Sequence, residues 1–235
     1  MTTALDRLGA TIASVKENRM QPWRTVPFAR QSVVAVGSLG VAAYMMGLAS
    51  GSATLGLAAK PIPVLCLAFW TATRPGRYAR LVTLGLAISM IADVAIESTF
   101  LGGLGLFLLA HLIYVTAFLT GRPPLKRLRA LPVIAVLAVA YGVIAPGLGP
   151  LQAPVVAYMV AIGTMVWRAA ARVGLDGAPR NLEWCALAGA ICFAASDALL
   201  AFNRFHSPIE GASYGIMSVY WAGQLGIALS TARRS

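Results

Sequence analysis

A chain of 235 residues that is 58% apolar and 11% charged, with a mean hydropathy of +0.75, departs from the ~25% charged composition of soluble domains and reads as one bundle in a bilayer. The net charge is +11, from 19 Lys and Arg against 8 Asp and Glu, but the basic residues fall in short gaps between apolar stretches and no nucleic-acid-binding motif accompanies them, which excludes nucleic acid as a partner. Cys66, Cys185 and Cys192 lie in apolar stretches, the last two seven apart on one predicted helix where they cannot bridge, so they read as small core hydrophobes.

Residues 1–30 carry Asp6, Arg7, Lys16, Glu17, Arg19, Arg24 and Arg30 with no early apolar core, and read as a cytoplasmic tail instead of a cleaved signal peptide. Beyond them, a helix crossing ~30 Å of hydrocarbon needs about 20 mostly apolar residues. That ruler gives eight spans within 31–231, near 31–50, 53–72, 81–98, 100–120, 131–147, 152–171, 183–203 and 211–231, with a short tail at 232–235. The expected fold is all-α, a bundle of eight transmembrane helices. Cytoplasmic loops collect Lys and Arg, and with the amino terminus inside, every one of the 19 except Lys60 and Arg204 falls on the inner side. Seven or nine helices would scatter them, so both termini are expected in the cytoplasm, with the protein crossing a bacterial plasma membrane many times.

An ionisable group inside a span costs ~2.5–3.5 kcal/mol on insertion scales, so each demands a partner or a task. The second span carries Lys60, followed by Pro61 and Pro63; each proline frees a carbonyl four residues earlier, at Leu57 and Ala59, and invites a kink. The third carries Asp93 and Glu97 on one stripe with Ser89, and the fourth carries His111 on a stripe with Phe107, Tyr114 and Phe118. The sixth contributes the Tyr158 phenol. The seventh carries Asp197 on a stripe with Phe193, Leu200 and Arg204, and the eighth pairs Tyr220 with Gln224. At ~1.5 Å per residue, Asp93 and Asp197 lie about 7–9 Å below the outer ends, Lys60 about 10 Å, and His111 near the middle. The expectation is one pocket open to the outer leaflet, holding Asp93, Asp197, His111 and Lys60.

Plainer roles stand beside each of these. Lys60 satisfies the freed carbonyls or snorkels outward; Asp93 with Lys60, and Asp197 with Arg204, are packing ion pairs; His111 is a satisfied core histidine; Glu97 is solvated at the interface. On the chemical side, two carboxylates sharing apolar surroundings favour one protonated and one ionised form, the arrangement that acid/base hydrolysis uses. A metal site is not expected. The only histidines are His111 and His206, the latter in a predicted outer loop, too few for a zinc hydrolase. No Gly-x-Ser-x-Gly elbow, phosphate-binding glycine loop or His-Glu-x-x-His occurs.

Four segments carry a likeness to a known family: Lys60-Pro61, Ser89 to Asp93, the run Phe107 to Phe118 containing His111 and Tyr114, and Gly189 to Asp197. Tyr220 to Gln224 is a weaker fifth. In their order and spacing over roughly residues 30–231 the chain resembles the YhhN family of membrane proteins, to which the lysoplasmalogenases belong. It departs at Ala92, where the family usually has glycine before the aspartate, a change that still permits close helix packing. The resemblance implies a membrane hydrolase that cleaves the vinyl ether of a lysoplasmalogen, a lysophospholipid, to a fatty aldehyde and glycerophosphoethanolamine or glycerophosphocholine, without a cofactor. On that reading Asp93 and Asp197 are the acid/base pair, Lys60 or Arg204 holds the phosphate, Tyr220 and Gln224 orient water or glycerol, and His111 and Tyr114 line the substrate site. Two other classes remain open on the sequence: a small transporter whose carboxylates relay protons while Lys60 binds an anion, and a lipid-binding scaffold. The third and seventh spans both place Ser and Asp near an outer end, but no sustained repeat follows.

Overall fold

The structure, a computed structural model, describes residues 27–175 and 179–232. Among them there is no strand, and nine α-helices follow in chain order. These are α1 (Pro27–Ser50), α2 (Ala53–Ala59), α3 (Ile62–Ala72), α4 (Arg77–Ser98) and α5 (Phe100–Phe118), then α6 (Ala130–Leu148), α7 (Gln152–Arg172), α8 (Arg180–Phe205) and α9 (Ala212–Leu229). Single 3-10 turns at Arg127–Arg129 and Gly149–Leu151 flank α6. The predicted amino-terminal tail lies outside the described residues up to position 26, and α1 begins inside its last four positions. Residues 233–235 of the carboxyl tail also lie outside them.

Six stretches among the described residues are long and apolar enough to cross a membrane. One of them, Arg127–Arg172, is 46 residues long and folds as two helices, α6 and α7, hinged at Gly149–Leu151. A helix of 18 residues, α9, is not among the six, because Tyr214, Tyr220 and Gln224 lower its mean hydropathy. Many large apolar side chains face outward, including Leu39, Phe69, Leu131, Val139 and Val160, as suits a lipid solvent.

The predicted second span is divided. Pro61 and Pro63 cannot donate to the helix ladder, so α2 ends and α3 begins around Lys60-Pro61. Both residues nevertheless keep right-handed helical torsions, and the ladder resumes at once: Lys60 N–H reaches Gly56 O at 3.0 Å and Leu65 N–H reaches Pro61 O at 2.9 Å. Lys60 stands at this break between the two helices and is buried.

The helices close into a ring. α1 packs on α2 and α3, α3 on α4, α4 on α5, α5 on α7, and α7 on both α6 and α8; α8 lies against α9, which returns to α3 and α4. The α8–α9 contact is close because both partners offer glycine. A Cβ on Gly189 would stand 2.5 Å from Ile227 N and 2.7 Å from Gly223 O, and one on Gly223 would stand 2.7 Å from Phe193 N. Backbones therefore touch, the small-residue mode of packing favoured where lipid supplies no hydrophobic drive between helices.

At one end of the ring the connections are latched by basic side chains. Arg168 donates to Pro123 O, Arg172 to Phe118 O and Thr120 O, and Lys126 and Arg129 to Val173 O. In return, Glu183 accepts from Gly174 N–H and Leu175 N–H. These side chains satisfy carbonyls and amides that the chain at and after the ends of α5 and α7 would otherwise leave open.

Candidate active site

On α4 the spacing of Asp93 and Glu97 places both carboxylates on one face, and Lys60, at the end of α2, meets that face. Lys60 Nζ lies 3.2 Å from Asp93 Oδ1 and 2.5 Å from Glu97 Oε1. The Lys60 and Asp93 side chains are buried, whereas that of Glu97 is 55% exposed. One ammonium thus answers two carboxylates. The predicted Lys60–Asp93 pair is present, and Glu97, taken from the sequence as solvated, is also a partner of Lys60.

The second aspartate has different company. Tyr158 on α7 donates its hydroxyl to Asp197 Oδ2 on α8. His111 on α5 brings Nε2 to 2.9 Å from the Tyr158 hydroxyl and 3.3 Å from Asp197 Oδ2. The alternative partner considered for Asp197, Arg204, is not engaged: its guanidinium lies 4.0 Å from the centroid of the Phe100 ring and 5.9 Å from that of Phe205. Seven residues separate Asp197 from Arg204, so the stripe keeps them on one side of α8 but about 10 Å apart along it, and the aromatic rings at the helix end hold the cation there.

Aromatic packing lies between the two carboxylates. Phe193 meets His111, Tyr220 and Phe107 edge-on at centroid distances of 4.8, 5.3 and 5.9 Å, as ring quadrupoles favour. Tyr220, raised from α9, directs its hydroxyl to Ser89 O at 3.4 Å and lies within electrostatic reach of both aspartates, as they lie of each other. Tyr114 donates to Gln224 Oε1 at 2.8 Å, so these two spend their polar atoms largely on one another. Asp93 Oδ2, His111 Nδ1 and Gln224 Nε2 are buried without a partner among the described residues. Such atoms are exceptional in a well-packed interior and are the ones left to meet a polar ligand.

Asp197 opens onto a large groove whose wall does not include Asp93. The groove, of about 570 Å³, runs between α6, α7, α8 and the start of α5, and Asp197 and Tyr158 are in its wall. The rest of the lining is apolar apart from Arg129 at one end. No group of three His, Cys, Asp or Glu side chains among the described residues is arranged to hold a metal ion. The three cysteines are free thiols.

Of the residues singled out in the sequence, the fold brings Lys60 to Asp93, His111 to Asp197, and Tyr114 to Gln224, with Tyr220 between these groups; Arg204 stands apart at the helix end. Tyr158 and Glu97 form direct contacts that the candidate set omitted. Glu97 was signalled by its four-residue spacing from Asp93. Tyr158 carried only the weaker signal of a phenol in an apolar span.

The model of the YhhN family matches residues 55–231, which takes in every candidate residue. The human lysoplasmalogenase TMEM86B is 35% identical over 179 residues, 74% of each chain. Bovine lysoplasmalogenase TMEM86A is 32% identical over 185 residues, 73% of this chain and 75% of that one. A lysoplasmalogenase of Mycobacterium tuberculosis is 32% identical over 189 residues, 75% of this chain and 70% of its own. No solved structure matches.

Proposed function

The chain belongs to the YhhN family, and from that premise we propose that it is a membrane-embedded hydrolase of the vinyl ether bond of lysoplasmalogens. The products are a fatty aldehyde and a glycerophospho-alcohol. The observation that carries the reading is the place of Asp197: a carboxyl group hydrogen-bonded by Tyr158 and beside His111, in the wall of an otherwise apolar groove. A lipid that must present a reactive bond to an acid while keeping its chain out of water finds both there.

The chemistry needs one proton donor and one acceptor. Asp197, in its protonated form, gives its proton to the alkene carbon remote from the ether oxygen. The double-bond electrons form that C–H bond, and the adjacent carbon becomes an oxocarbenium ion. Water adds to this carbon, a carboxylate takes the released proton, and the hemiacetal breaks its C–O bond to give the aldehyde and the free glycerol hydroxyl. Asp93, paired with Lys60 and within electrostatic reach of Asp197, is the second carboxylate of this reading: its charge stabilises the cation, and its Oδ2, without a partner among the described residues, is the acceptor available for the water's proton. Lys60 is already matched by two carboxylates, which leaves Arg204, with no carboxylate in salt-bridge distance among the described residues, as the better phosphate ligand. Tyr220 and Gln224 orient water and glycerol, and His111 and Tyr114 hold the walls that carry them.

In the bilayer we place eight spans: the six apolar stretches with Arg127–Arg172 counted as its two helices, and α9. Both termini then lie on the side of the basic latches, the cytoplasmic face of a cell membrane. The test of function is direct. Purified protein given alkenyl lysophospholipid should release aldehyde and glycerophospho-alcohol in equal amounts, and Asp197→Asn should not. Movement of lysolipid across vesicles without product would replace this reading with transport.

A further inference from the structure

The groove holding Asp197 is much longer than a reacting bond requires. Its lining runs from Arg129 in the preceding 3-10 turn to Ile144 on α6, from Val155 to Ala170 on α7, and from Leu187 to Phe205 on α8. At ~1.5 Å per residue these are walls of roughly 22–27 Å. The polar pair divides the groove unequally in character. Toward the Phe100 and Phe205 end stand aromatic rings, with the Arg204 guanidinium over the Phe100 ring. Toward the Arg129 end, α7 continues for twelve residues beyond Tyr158 and α8 for ten beyond Asp197, an arm of about 15–18 Å with no polar side chain until Arg129. Small residues line it on both helices: Ala194 and Ala195 on α8 and Ala170 on α7. Half of a ~30 Å hydrocarbon core, the depth filled by one lipid chain, is about 15 Å.

We propose that this arm is the chain subsite. It takes the single long alkenyl chain of the lysolipid with its vinyl ether beside Asp197 and Tyr158 and its terminal methyl toward Arg129, and its depth sets the preference for chain length. The assignment of the alkenyl chain rests on the hydrolase reading above; the groove's capacity for a long hydrocarbon chain does not. A one-chain lipid suits it, because a second chain at the glycerol would have to share the same narrow arm. Both ends carry a guanidinium, but Arg129 already donates to Ala170 O and Val173 O whereas Arg204 meets only aromatic rings, so the anionic headgroup is directed to the Arg204 end.

Val133, on α6 near the Arg129 end, lines the arm. The test is binding of saturated-ether lysophosphoethanolamines, which cannot be cleaved, to the full chain in detergent. Unmodified protein should bind the octadecyl ligand more tightly than the decyl one. Val133→Trp should weaken octadecyl binding by roughly tenfold or more, because several methylenes lose their burial, and leave decyl binding within about twofold. Leu131→Trp, on the outward face of α6, should change neither. Aldehyde release from the matching alkenyl lipids should shift the same way. If Val133→Trp leaves the binding preference unaltered, the chain subsite is overturned, whatever the activity. If it abolishes the preference while no alkenyl lipid is ever cleaved, the subsite stands and the hydrolase reading falls. Should Val133→Trp fail to fold, a hexadecyl analogue with a photoreactive terminal carbon decides on unmodified protein: crosslinks to α6 and α7 near Val133 and Val166 support the proposal, and crosslinks near Phe205 or on α1 overturn it.

Discussion

Asp93 and Asp197 are the same residue type at similar depth in the sequence, and they differ in company. Asp93 faces an ammonium, Asp197 a phenol and an imidazole. The difference decides what each substitution does. Asp93→Asn removes a charge but leaves Lys60 paired with Glu97, and Asp197→Asn keeps an oxygen that accepts from Tyr158, so both variants should fold. Both should lose ~10²–10⁴-fold in turnover, the usual weight of general acid–base catalysis, as read by aldehyde release and detergent melting on the same samples. Early melting with normal specific activity would make the aspartates structural. Lys60→Ala is the opposite case. It strands buried Asp93 without its counter-charge, a loss of about 3–5 kcal/mol for a broken buried pair. The melting temperature should therefore fall sharply, and Lys60→Ala combined with Asp93→Asn should recover part of it. A double variant no more stable than Lys60→Ala alone would remove the pair from the account.

Helices show why sequence gives some of this and not the rest. The run length of apolar residues is local, so the elements were legible, and α2–α3 was foreshadowed by Lys60-Pro61-Ile62-Pro63. Ionisable residues also stood out, since each violates its own span. What spacing along one helix cannot give is which helix stands opposite. Asp197 meets Tyr158 because α7 packs against α8, and the groove exists because the Ala194, Ala198 and Ala201 stripe faces α6 and α7; in sequence that stripe is indistinguishable from one facing lipid. The α8–α9 contact is similar: Gly189, Gly223 and Gly226 read as loose composition until their backbones are seen to touch. Gly189→Ala would push a methyl against backbone that cannot rotate away, so it should cost about 1–3 kcal/mol, the range for overpacking. Because α8 carries Asp197 and α9 carries Tyr220, turnover should fall with it. A variant that melts normally would mean the two helices have room to separate.

At the scale of the whole molecule, the basic residues do two jobs at one end. Arg172 stacks 4.6 Å over the Tyr78 ring and bonds the end of α5, while the Tyr78 hydroxyl lies 2.6 Å from Ser230 Oγ. The start of α4 and the ends of α5, α7 and α9 therefore meet there. Several of the charges that order the topology are consequently not free in a loop but bound to carbonyls. They still resist translocation, because moving that end through lipid would carry buried guanidinium groups with it. An odd number of crossings would put the carboxyl-terminal end of α9 opposite the amino-terminal end of α1. With α9 ending beside this latch, where Ser230 meets Tyr78, the proposed arrangement takes an even number. Reporter fusions after Arg127 and after Ser235 should accordingly both report the cytoplasm, and one after Gly149 the far side. A carboxyl-terminal fusion reporting the far side would break the eight-span arrangement, and with it the direction in which the groove receives its lipid.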